Sequence, residues 1–358
     1  MSRYFTAELS ALEPYTPGEQ PQNRKYIKLN TNESPYPPAP GVADAVAEAA
    51  ARLALYPDPE SGTLIRAAAD WFGVGPENIL CGNGSDENLM LAIRAFCGKD
   101  RPLAFADVTY GFYPVWCQLF GIPQVVLPLK EDFTIDPADY YGLDKSRKVG
   151  AIVIANPNAP TGLALPAAAL AEIARRNPDA IVIVDEAYVD FGGESCVSFV
   201  QKADPANLMV VQTFSKSRSL AGGRLGLCIA PAELISDLKR VKYSMNPYNI
   251  NRMTEAAGIA ALADRAYFEE NCAAIRATRA DTIAKLRQMG FTVLESSTNF
   301  VFASTARMPG GELYRRLKEA GVLVRHFDTP RLQNWLRITI GSPEQMQGLF
   351  DALNQILA

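Results

Sequence analysis

Two short segments of the chain, AIVIA at 151–155 and AIVIV at 180–184, are apolar at every position. A strand with one solvated face alternates polar and apolar residues, so a fully apolar strand is buried on both faces, as in a parallel sheet covered by helices. Strand candidates of this kind alternate with amphipathic helical stretches along the chain: 79–81, 102–106, 124–128, 150–155, 180–184, 208–212 and 225–229. We therefore predict an α/β fold built on a mostly parallel seven-stranded sheet.

The pattern changes after Pro247, where a long helical segment from about 254 to 289 precedes short strand-like pieces. Those pieces, FTVLE, NFVFA, VLVR and WLRITIG, are separated by the helical stretch GELYRRLKEAG and predict a smaller α+β domain. The first thirty residues are polar and contain three prolines, which favours an irregular arm. We predict an N-terminal arm at 1–30 that packs with the small domain, a large domain at 31–248 and a small C-terminal domain at 249–358.

Composition narrows the classes of function. A net charge of −4 gives no general electrostatic case for binding nucleic acid or an acidic membrane, and no stretch is apolar for the length of a membrane span. The single histidine, His326, argues against a histidine-based triad and a multi-histidine site, and we predict no metal. The six cysteines form no C-x-x-C pair and lie in apolar segments, as expected of reduced thiols in a cytoplasmic protein.

Polar side chains follow two of the predicted strands and another precedes a third, at the sheet edge where open parallel sheets bind ligands. Asp185 comes directly after AIVIV, Lys216 follows LMVVQ, and Arg224 precedes the strand that comes next. A lysine buried there loses hydration, so its neutral amine, the form that condenses with a carbonyl, becomes accessible. Pyridoxal phosphate needs such a lysine, a carboxylate for its ring nitrogen, and phosphate donors such as Arg224 and Ser215. A helix N-cap at Asp185 and a solvated loop lysine at Lys216 are the simpler explanations, but their joint placement favours the cofactor.

Two neighbouring features are each compatible with that cofactor. The glycine-rich turn at 82–87, GNGSDE, directly follows the strand ILC and opens the helical stretch NLMLAIRAF, and such a turn exposes backbone N–H groups to a phosphate. A tight turn capped by Ser85 or Asp86 explains the same residues. Tyr110 follows another strand end, where an aromatic ring either stacks on a pyridine ring or packs in a core or an interface.

Arginine residues interrupt two apolar strands of the predicted small domain. In WLRITIG, alternation places Leu336 and Ile338 on one face and Arg337 on the other. An arginine within an apolar strand pairs with an anion, which is either a substrate carboxylate or phosphate or the acid of a structural salt bridge. Arg325 in VLVRHF follows the same pattern more weakly, and we expect His326 beside it to be a structural or rim residue.

A series of motifs spanning almost the whole chain resembles the fold-type-I pyridoxal-phosphate enzymes, the class of aspartate aminotransferase. Within that class the chain is most similar to the histidinol-phosphate aminotransferases. The matching segments are KLNTNESPYPP, YPDP, GNGSDE, TYGFY, NPNAPTG, DEAYVDF, TFSKSRSLAGGRLG, PYNIN, STNFVF, VLVRHF and LRITIG. As a group they are specific for the fold and the cofactor, and less specific for the substrate. One departure is Ala159 in NPNAPTG, where many relatives have a second asparagine.

The resemblance implies a role for each matching residue. Lys216 is then the Schiff-base lysine that also moves the proton between the substrate α-carbon and C4′ of the cofactor, and Asp185 is the partner of the ring nitrogen. Tyr188 and Asn158 bond the phenolic oxygen, and Tyr110 stacks on the ring. The cofactor phosphate is held by residues of the glycine-rich turn and the lysine segment, namely Gly84, Ser85, Ser215 and Arg224, and Asp86 is a further cofactor-binding residue.

Further roles implied by the resemblance concern the partner subunit and the substrate. Tyr56, in LYPDP, resembles the tyrosine that reaches the phosphate of a neighbouring subunit, which implies a homodimer with a shared active site. Its alternative is a turn tyrosine before Pro57. Arg325 and Arg337 would bind the phosphate of the amino donor or the carboxylate of the oxo acid, while Tyr15 and Asn32 belong to the arm that closes over the substrate.

The implied activity is a transamination between a small-molecule amino donor and a 2-oxo acid. The donor favoured by the motifs is L-histidinol phosphate, with 2-oxoglutarate as acceptor, in histidine biosynthesis. Two other enzymes with similar motifs stay open: a broad aromatic or aspartate-type aminotransferase, and a decarboxylase resembling threonine-phosphate decarboxylase. A regulatory protein that only binds the cofactor is disfavoured, because Lys216, Asp185, Tyr188 and Arg224 are all present.

Overall fold

The computed structural model describes residues 2–358. Its strands in that range are β1 (Ile27–Lys28), β2 (Ile79–Asn83), β3 (Leu103–Ala106), β4 (Gln124–Leu127), β5 (Ala151–Ala155), β6 (Ile181–Asp185), β7 (Leu208–Thr213), β8 (Leu225–Ile229), β9 (Thr292–Val293), β10 (Phe300–Ser304), β11 (Val322–Leu323), β12 (Arg325–His326) and β13 (Trp335–Thr339). Its α-helices are α1 (Gly41–Ala50), α2 (Gly62–Phe72), α3 (Gly84–Phe96), α4 (Phe112–Phe120), α5 (Leu143–Ser146), α6 (Ala167–Arg175), α7 (Val197–Lys202), α8 (Ala232–Met245), α9 (Arg252–Ala263), α10 (Arg265–Gln288), α11 (Gly310–Glu319) and α12 (Pro343–Leu357).

Strands β2 to β8 form one seven-stranded sheet in the order β2-β8-β7-β6-β5-β3-β4. The pairs among β3 to β7 are parallel, and β8 runs antiparallel to both of its neighbours, β2 and β7. The predicted α/β fold with a mostly parallel seven-stranded sheet is therefore confirmed. The carboxyl ends of β5, β6 and β7, which are adjacent strands, lie side by side at one edge.

The apolar runs are explained by two hydrophobic cores, one on each face of this sheet. Ile152 and Ile154 of β5 pack into the core that includes residues of α2 and α6. Ala151 and Val153 of the same strand pack into the opposite core, which includes residues of α3 and α4. Because helices cover both faces of the sheet, the side chains of β5 from 151 to 154 lie in apolar cores, which explains why that segment contains no polar residue.

A second unit contains an antiparallel sheet of order β12-β13-β10-β9, packed with α10, α11 and α12 around a separate core. The arm joins this unit, since β1 pairs with β11 in parallel and Leu29 is buried in its core. Helix α9 follows the predicted boundary at 248, yet its residue Ala257 packs in a core of the seven-stranded sheet. The three domain ranges therefore stay a prediction.

Two local expectations were wrong in detail. The helical segment predicted from about 254 to 289 is two helices, α9 and α10, because Asp264 leaves the helical conformation and its side chain accepts a hydrogen bond from the Tyr267 N–H. The piece VLVR is divided between β11, which pairs with the arm, and β12, which pairs with β13. No helix within residues 2–358 is long and apolar enough to cross a membrane.

Candidate active site

A cavity of about 170 Å³ lies at the carboxyl edge of β5, β6 and β7, and we call it the inner cavity. Asp185 ends β6, Lys216 follows β7 by three residues, and Arg224 directly precedes β8. All three side chains line this cavity, together with Tyr188 and Tyr110. The parallel strands bring these residues together although they are distant in the chain, because their carboxyl ends share one edge.

Lys216 is partly buried in a turn that is fixed by its neighbours. The Ser215 N–H donates to Thr213 Oγ1 at 3.1 Å, and the Lys216 ammonium donates to the carbonyl of Thr31 at 3.2 Å. Burial lowers the pKa of Lys216 to about 8, and the positive charge of Arg337 adds to that effect. The neutral amine is therefore accessible close to neutral pH, as the sequence predicted for a carbonyl-condensing lysine.

The Asp185 carboxylate is buried and is held at both oxygens. The hydroxyl of Tyr113 donates to Oδ2 at 2.8 Å, and the N–H of Ala187 donates to Oδ1 at 3.2 Å. Burial raises the pKa of Asp185 to about 6 in spite of these two bonds, which oppose the rise. At neutral pH this site therefore presents a carboxylate to the cavity, in a position where it can hold a protonated ring nitrogen.

The start of α3 and the segment before β8 form the proposed phosphate site. Ser85, Asp86, Ser215 and Arg224 line the inner cavity. Arg224 Nη2 lies 3.1 Å from Asp86 Oδ2, and the Tyr110 hydroxyl donates to Asp86 Oδ1 at 2.9 Å. The first N–H groups of a helix have no partner within the helix and favour an anion, so this end of α3 suits a phosphate.

Two glycines allow Arg224 and β8 to lie close to the start of α3 at this proposed phosphate site. A Cβ on Gly84, which has a φ of +76°, would lie 2.4 Å from Arg224 Nη2. A Cβ on Gly226 of β8 would lie 2.3 Å from the backbone nitrogen of Ser85. Only residues without a side chain allow the guanidinium and β8 to approach the helix start so closely.

Tyr188 and Asn158, which the sequence pairs at the cofactor's phenolic oxygen, lie in different surroundings. Tyr188 lines the inner cavity and its hydroxyl oxygen accepts a hydrogen bond from Asn32 Nδ2 at 2.9 Å. Asn158 is buried behind the cavity wall, where its Nδ2 donates to the carbonyl of Val108 at 3.0 Å and to the Thr161 hydroxyl at 3.1 Å. A contact from this amide nitrogen to a cofactor therefore requires it to leave one of those bonds.

Asn32 joins the arm to both units. Its φ of +57° is left-handed, a conformation that asparagine tolerates better than most residues. The backbone N–H of Asn32 donates to the Thr339 hydroxyl oxygen at 3.0 Å, and that hydroxyl donates in turn to Asn32 Oδ1 at 3.0 Å. Asn32 thus holds the end of β13 and the Tyr188 hydroxyl through one side chain.

A second cavity of about 830 Å³ adjoins the first, and we call it the outer cavity. The two share the wall residues Tyr110 and Ala159, and Arg337, Arg325 and Tyr15 line the outer cavity only. Most of the site residues predicted from the sequence therefore divide into two groups, one lining the inner cavity and the other lining the outer cavity.

Arg337 has the spare hydrogen-bonding capacity of an anion site. It is partly buried, its Nη2 donates to the carbonyl of Asn30 at 3.0 Å, and its buried Nε has no partner within residues 2–358. Burial lowers the pKa of Arg337, because the charged form loses hydration. The alternative of a structural salt bridge is not found in the described part of the chain, which leaves the guanidinium available to a bound anion.

Arg325 and Tyr15 connect the arm to the outer cavity. Arg325 donates to the carbonyls of Pro17 and Thr16 at 3.2 and 3.1 Å. The ring of Tyr15 stacks on Phe112 with the centroids 4.3 Å apart. The arm therefore contacts both units beside the outer cavity.

Tyr56 is separate from these residues, since it lines neither cavity. It is 79% exposed and stacks on Tyr248 at 4.7 Å, next to Leu55, which is 68% exposed. Within residues 2–358 no group of three or more His, Cys, Asp and Glu side chains is arranged to hold a metal ion.

Three residues of the site were not predicted from the sequence: Tyr113, Glu33 and Arg331. Tyr113 lies three residues after Tyr110, and a fully buried tyrosine hydroxyl generally has a partner, but the sequence does not say that Asp185 is that partner. Glu33 lines the inner cavity and accepts hydrogen bonds from Lys28 and Thr31, both at 2.7 Å.

Comparisons with known proteins show the family of this chain. Residues 24–353 match the model of the family "Aminotransferase class I and II". The histidinol-phosphate aminotransferase of Marinomonas sp. (strain MWYL1) is 48% identical to this chain, and the match covers 99% of this chain and 100% of that protein. Histidinol-phosphate aminotransferase 2 of Dechloromonas aromatica (strain RCB) is 47% identical to this chain, and the match covers 99% of each protein.

A solved structure extends the match to the fold. The histidinol-phosphate aminotransferase of Sinorhizobium meliloti, in complex with pyridoxal-5'-phosphate, superposes with a TM-score of 0.90, covering 100% of this chain and 98% of the other at 26% identity. The chain belongs to the aminotransferase class I and II family.

Proposed function

We propose that this protein is a pyridoxal-phosphate-dependent aminotransferase that transfers the amino group of L-histidinol phosphate to 2-oxoglutarate, giving imidazole-acetol phosphate and L-glutamate in histidine biosynthesis. The observation that carries the proposal is the joint placement of Lys216, Asp185 and Arg224 in the inner cavity, next to an outer cavity lined by Arg337, whose Nε has no partner among residues 2–358. Identities of 47–48% over the full length to proteins of that name support the choice of donor.

The inner cavity offers a group for each functional group of pyridoxal phosphate. Lys216 supplies an amine for the aldehyde carbon, and Asp185 supplies a buried carboxylate for the protonated ring nitrogen. Arg224 and the start of α3 supply donors for the phosphate, in a cradle that a Cβ at Gly84 or Gly226 would fill. Because every donor set is present, we infer that these residues hold the cofactor.

The remaining cofactor contacts come from the side walls of the inner cavity. Tyr110 is proposed to stack on the ring, with its hydroxyl fixed by Asp86. Tyr188 is proposed to donate to the phenolic oxygen while it accepts from Asn32. Asn158 is proposed as a second partner of that oxygen, and Ser85 and Ser215 are proposed to contact the phosphate.

When it is bound, pyridoxal phosphate supplies an electron sink for the negative charge left at the substrate α-carbon. Lys216, whose pKa is about 8, can accept the α-proton and deliver it at C4′ near neutral pH, because the pKa of an efficient acid–base catalyst lies near the working pH. Asp185, whose pKa is about 6, carries the compensating negative charge in the same pH range. The hydroxyl of Tyr113 stabilises that charge.

The outer cavity suits a substrate with an anionic tail. Arg337 and Arg325 are the proposed ligands of the donor's phosphate and of the distal carboxylate of the oxo acid, since guanidinium groups bind both anions in a bidentate way. Tyr15 and Tyr110, whose ring centroids are 6.1 Å apart, supply aromatic surface beside the planar part of the donor. Asn32 is proposed to fix the arm over the bound substrate.

We propose further that the protein is a homodimer in which Tyr56 reaches the phosphate site of the partner subunit. Tyr56 lies in an exposed apolar patch with Leu55, Met245 and Tyr248, the kind of surface that marks an interface. Light scattering of the purified protein tests this, and a monomer at micromolar concentration would contradict it. We propose a cytoplasmic location, which the six buried free thiols support.

The proposed activity is tested with the purified, cofactor-loaded protein. We expect L-histidinol phosphate to convert the visible absorption band to that of the amine form of the cofactor, and 2-oxoglutarate to restore it with formation of glutamate. Aromatic amino acids acting with a higher kcat/KM would replace the donor and keep the reaction. Release of carbon dioxide from L-threonine phosphate, without the amine form of the cofactor, would replace the aminotransferase by a decarboxylase.

A further inference from the structure

The two arginines of the outer cavity are carried by one hairpin. Arg325 of β12 and Arg337 of β13 are direct partners across the antiparallel pair, so their side chains lie on the same face. Like charges that are directly opposite on paired strands repel each other. The position of this arginine pair therefore depends on contacts that fix the hairpin elsewhere.

The loop of this hairpin, residues 327–334, is fixed to the large unit by Arg331. Arg331 Nη1 lies 2.7 Å from Asp107 Oδ2, and Nη2 donates to the carbonyl of Lys130 at 2.7 Å and to that of Leu129 at 3.3 Å. Three acceptors from two segments thus converge on one guanidinium. Unlike Arg337, Arg331 has an acidic partner and binds protein groups through both terminal nitrogens.

Apolar packing supports the same contact. Leu332 is buried in a small core with Leu129, Phe133 and Phe302, which combines residues from both units. The Arg331 guanidinium carbon lies 5.2 Å from the centre of the Phe133 ring. At the base of the loop a ring nitrogen of His326 lies 2.8 Å from the carbonyl oxygen of Gln333, which keeps the loop closed on itself.

Asp107 connects this contact to the cofactor wall. It directly follows β3 and precedes Tyr110, a residue of both cavities, by three positions. The other carboxylate oxygen of Asp107 accepts the Leu129 N–H at 2.9 Å, so its orientation is fixed. The Arg331–Asp107 ion pair therefore joins the segment that carries Tyr110 to the hairpin that carries the two arginines.

We propose that Arg331 is a positioning residue, which sets the distance between the anion-binding arginines and the cofactor site by pinning the hairpin loop to Asp107. The proposal rests on the proposed function, because it assigns Arg325 and Arg337 to the substrate's anionic tail. Arg331 then acts only on substrates that use that tail. The two side chains of the ion pair are 36% and 28% exposed, so the pair contributes little to folding and its loss leaves a folded protein.

The test compares two amino donors that differ only in the anionic group, L-histidinol phosphate and L-histidinol. In the cofactor-loaded Arg331→Met variant we expect the ratio of their kcat/KM values to fall about tenfold, the coupling typical of residues in one salt-bridge network. The visible absorption band and the cofactor affinity should not change. Arg331→Lys, which keeps a charge for Asp107, should recover part of the ratio.

Two controls isolate the contact. Arg315→Met removes the exposed ion pair with Glu319 on α11 of the same unit and should leave the ratio unchanged. Asp107→Asn should lower the ratio in the same direction as Arg331→Met, and the double variant should be no worse than Arg331→Met alone. Equal losses of kcat/KM with both donors, or additive losses in the double variant, would overturn the proposal.

If the wild-type protein uses neither donor, the proposed function fails and the positioning role is tested by titration calorimetry with inorganic phosphate. About tenfold weaker binding of phosphate to the Arg331→Met holoenzyme would still support the role of Arg331. Equal affinity, or no phosphate binding to the wild type, would overturn it.

Discussion

The inner and outer cavities share a wall but are built in different ways. The inner cavity lies at the ends of adjacent strands of one sheet, and two of its charged side chains have close side-chain partners, Asp86 for Arg224 and the Tyr113 hydroxyl for Asp185. The outer cavity is assembled from the arm, the hairpin of the small unit and the segment after β3, and the guanidinium of Arg337 retains spare donors.

This difference matches the two kinds of ligand that an aminotransferase handles. A resident cofactor needs a site that is fixed before it binds, and a single sheet edge with paired charges provides one. Substrates that enter and leave need a site with a cationic donor that no acidic side chain already binds. Its wall can be formed by segments from different parts of the chain, as the wall of the outer cavity is. Variants in the inner cavity should therefore affect every substrate, whereas variants in the outer cavity should affect anionic substrates selectively.

The largest effect is expected from Lys216→Ala. Without an amine at this position the protein loses both the covalent attachment point and the proton carrier, so kcat should fall about 10⁴-fold with every donor. The purified variant should also lack the visible absorption band. Lys202→Ala, at an exposed lysine that ends α7, is the matched control and should behave as the wild type. A loss smaller than tenfold, or a loss confined to one donor, would remove Lys216 from the proposed mechanism.

A smaller and selective effect is expected from Arg337→Met. The variant loses charge-assisted hydrogen bonds to the substrate anion, so KM for the anionic donor should rise about 10- to 100-fold. Cofactor affinity should stay unchanged, because Arg337 does not line the inner cavity, while the pKa of Lys216 should rise once the positive charge of Arg337 is removed. Arg287→Met, which removes an exposed pair with Glu295 on the same unit, is the control. An equal effect on donors with and without an anionic tail would erase the distinction between the two cavities.

The inner cavity could be predicted from the sequence because strands and strand ends are local signals. Runs such as AIVIV identify buried strands, and the first polar residue after each run, Asp185 for example, then falls at a known edge. Arg337 could be predicted for a related reason, since alternation within β13 places it on the other face of the strand from Leu336 and Ile338. The pattern could not decide between a salt bridge and an anion site, because that depends on which acids lie nearby in space.

Contacts between distant segments were beyond the sequence. Tyr113 and Asp185 are 72 residues apart, and Arg331 and Asp107 are 224 apart, so neither pair leaves a periodic signal. Asn158 shows a different limit. Its motif is recognisable in the sequence, but the motif does not predict that the side-chain amide donates to the Thr161 hydroxyl and to the carbonyl of Val108. The helix break at Asp264 was missed because a side-chain cap can interrupt an otherwise continuous helical pattern.

The smallest effect, and the one that tests how firmly the inner cavity is fixed, is expected from Tyr113→Phe. Asp185 has a pKa of about 6 in the folded protein, above its ordinary value of 3.8, so the folded state holds an extra proton between these values. This group's contribution to the free energy of unfolding is therefore present at low pH and is lost as pH rises towards 6.

Removal of the Tyr113 hydroxyl takes away a donor to the ionised carboxylate, so the pKa of Asp185 should rise further and the loss should extend above pH 6. Urea unfolding of the cofactor-free protein should show the variant about 1.5 to 3 kcal/mol less stable than the wild type at pH 7, and less affected at pH 4.5, where the carboxyl group is protonated in both. Tyr314→Phe, which removes an exposed hydroxyl bonded to Glu19, is the matched control. A destabilisation that is the same at both pH values would mean that the Tyr113 hydroxyl does not favour the ionised form of Asp185 over the protonated form.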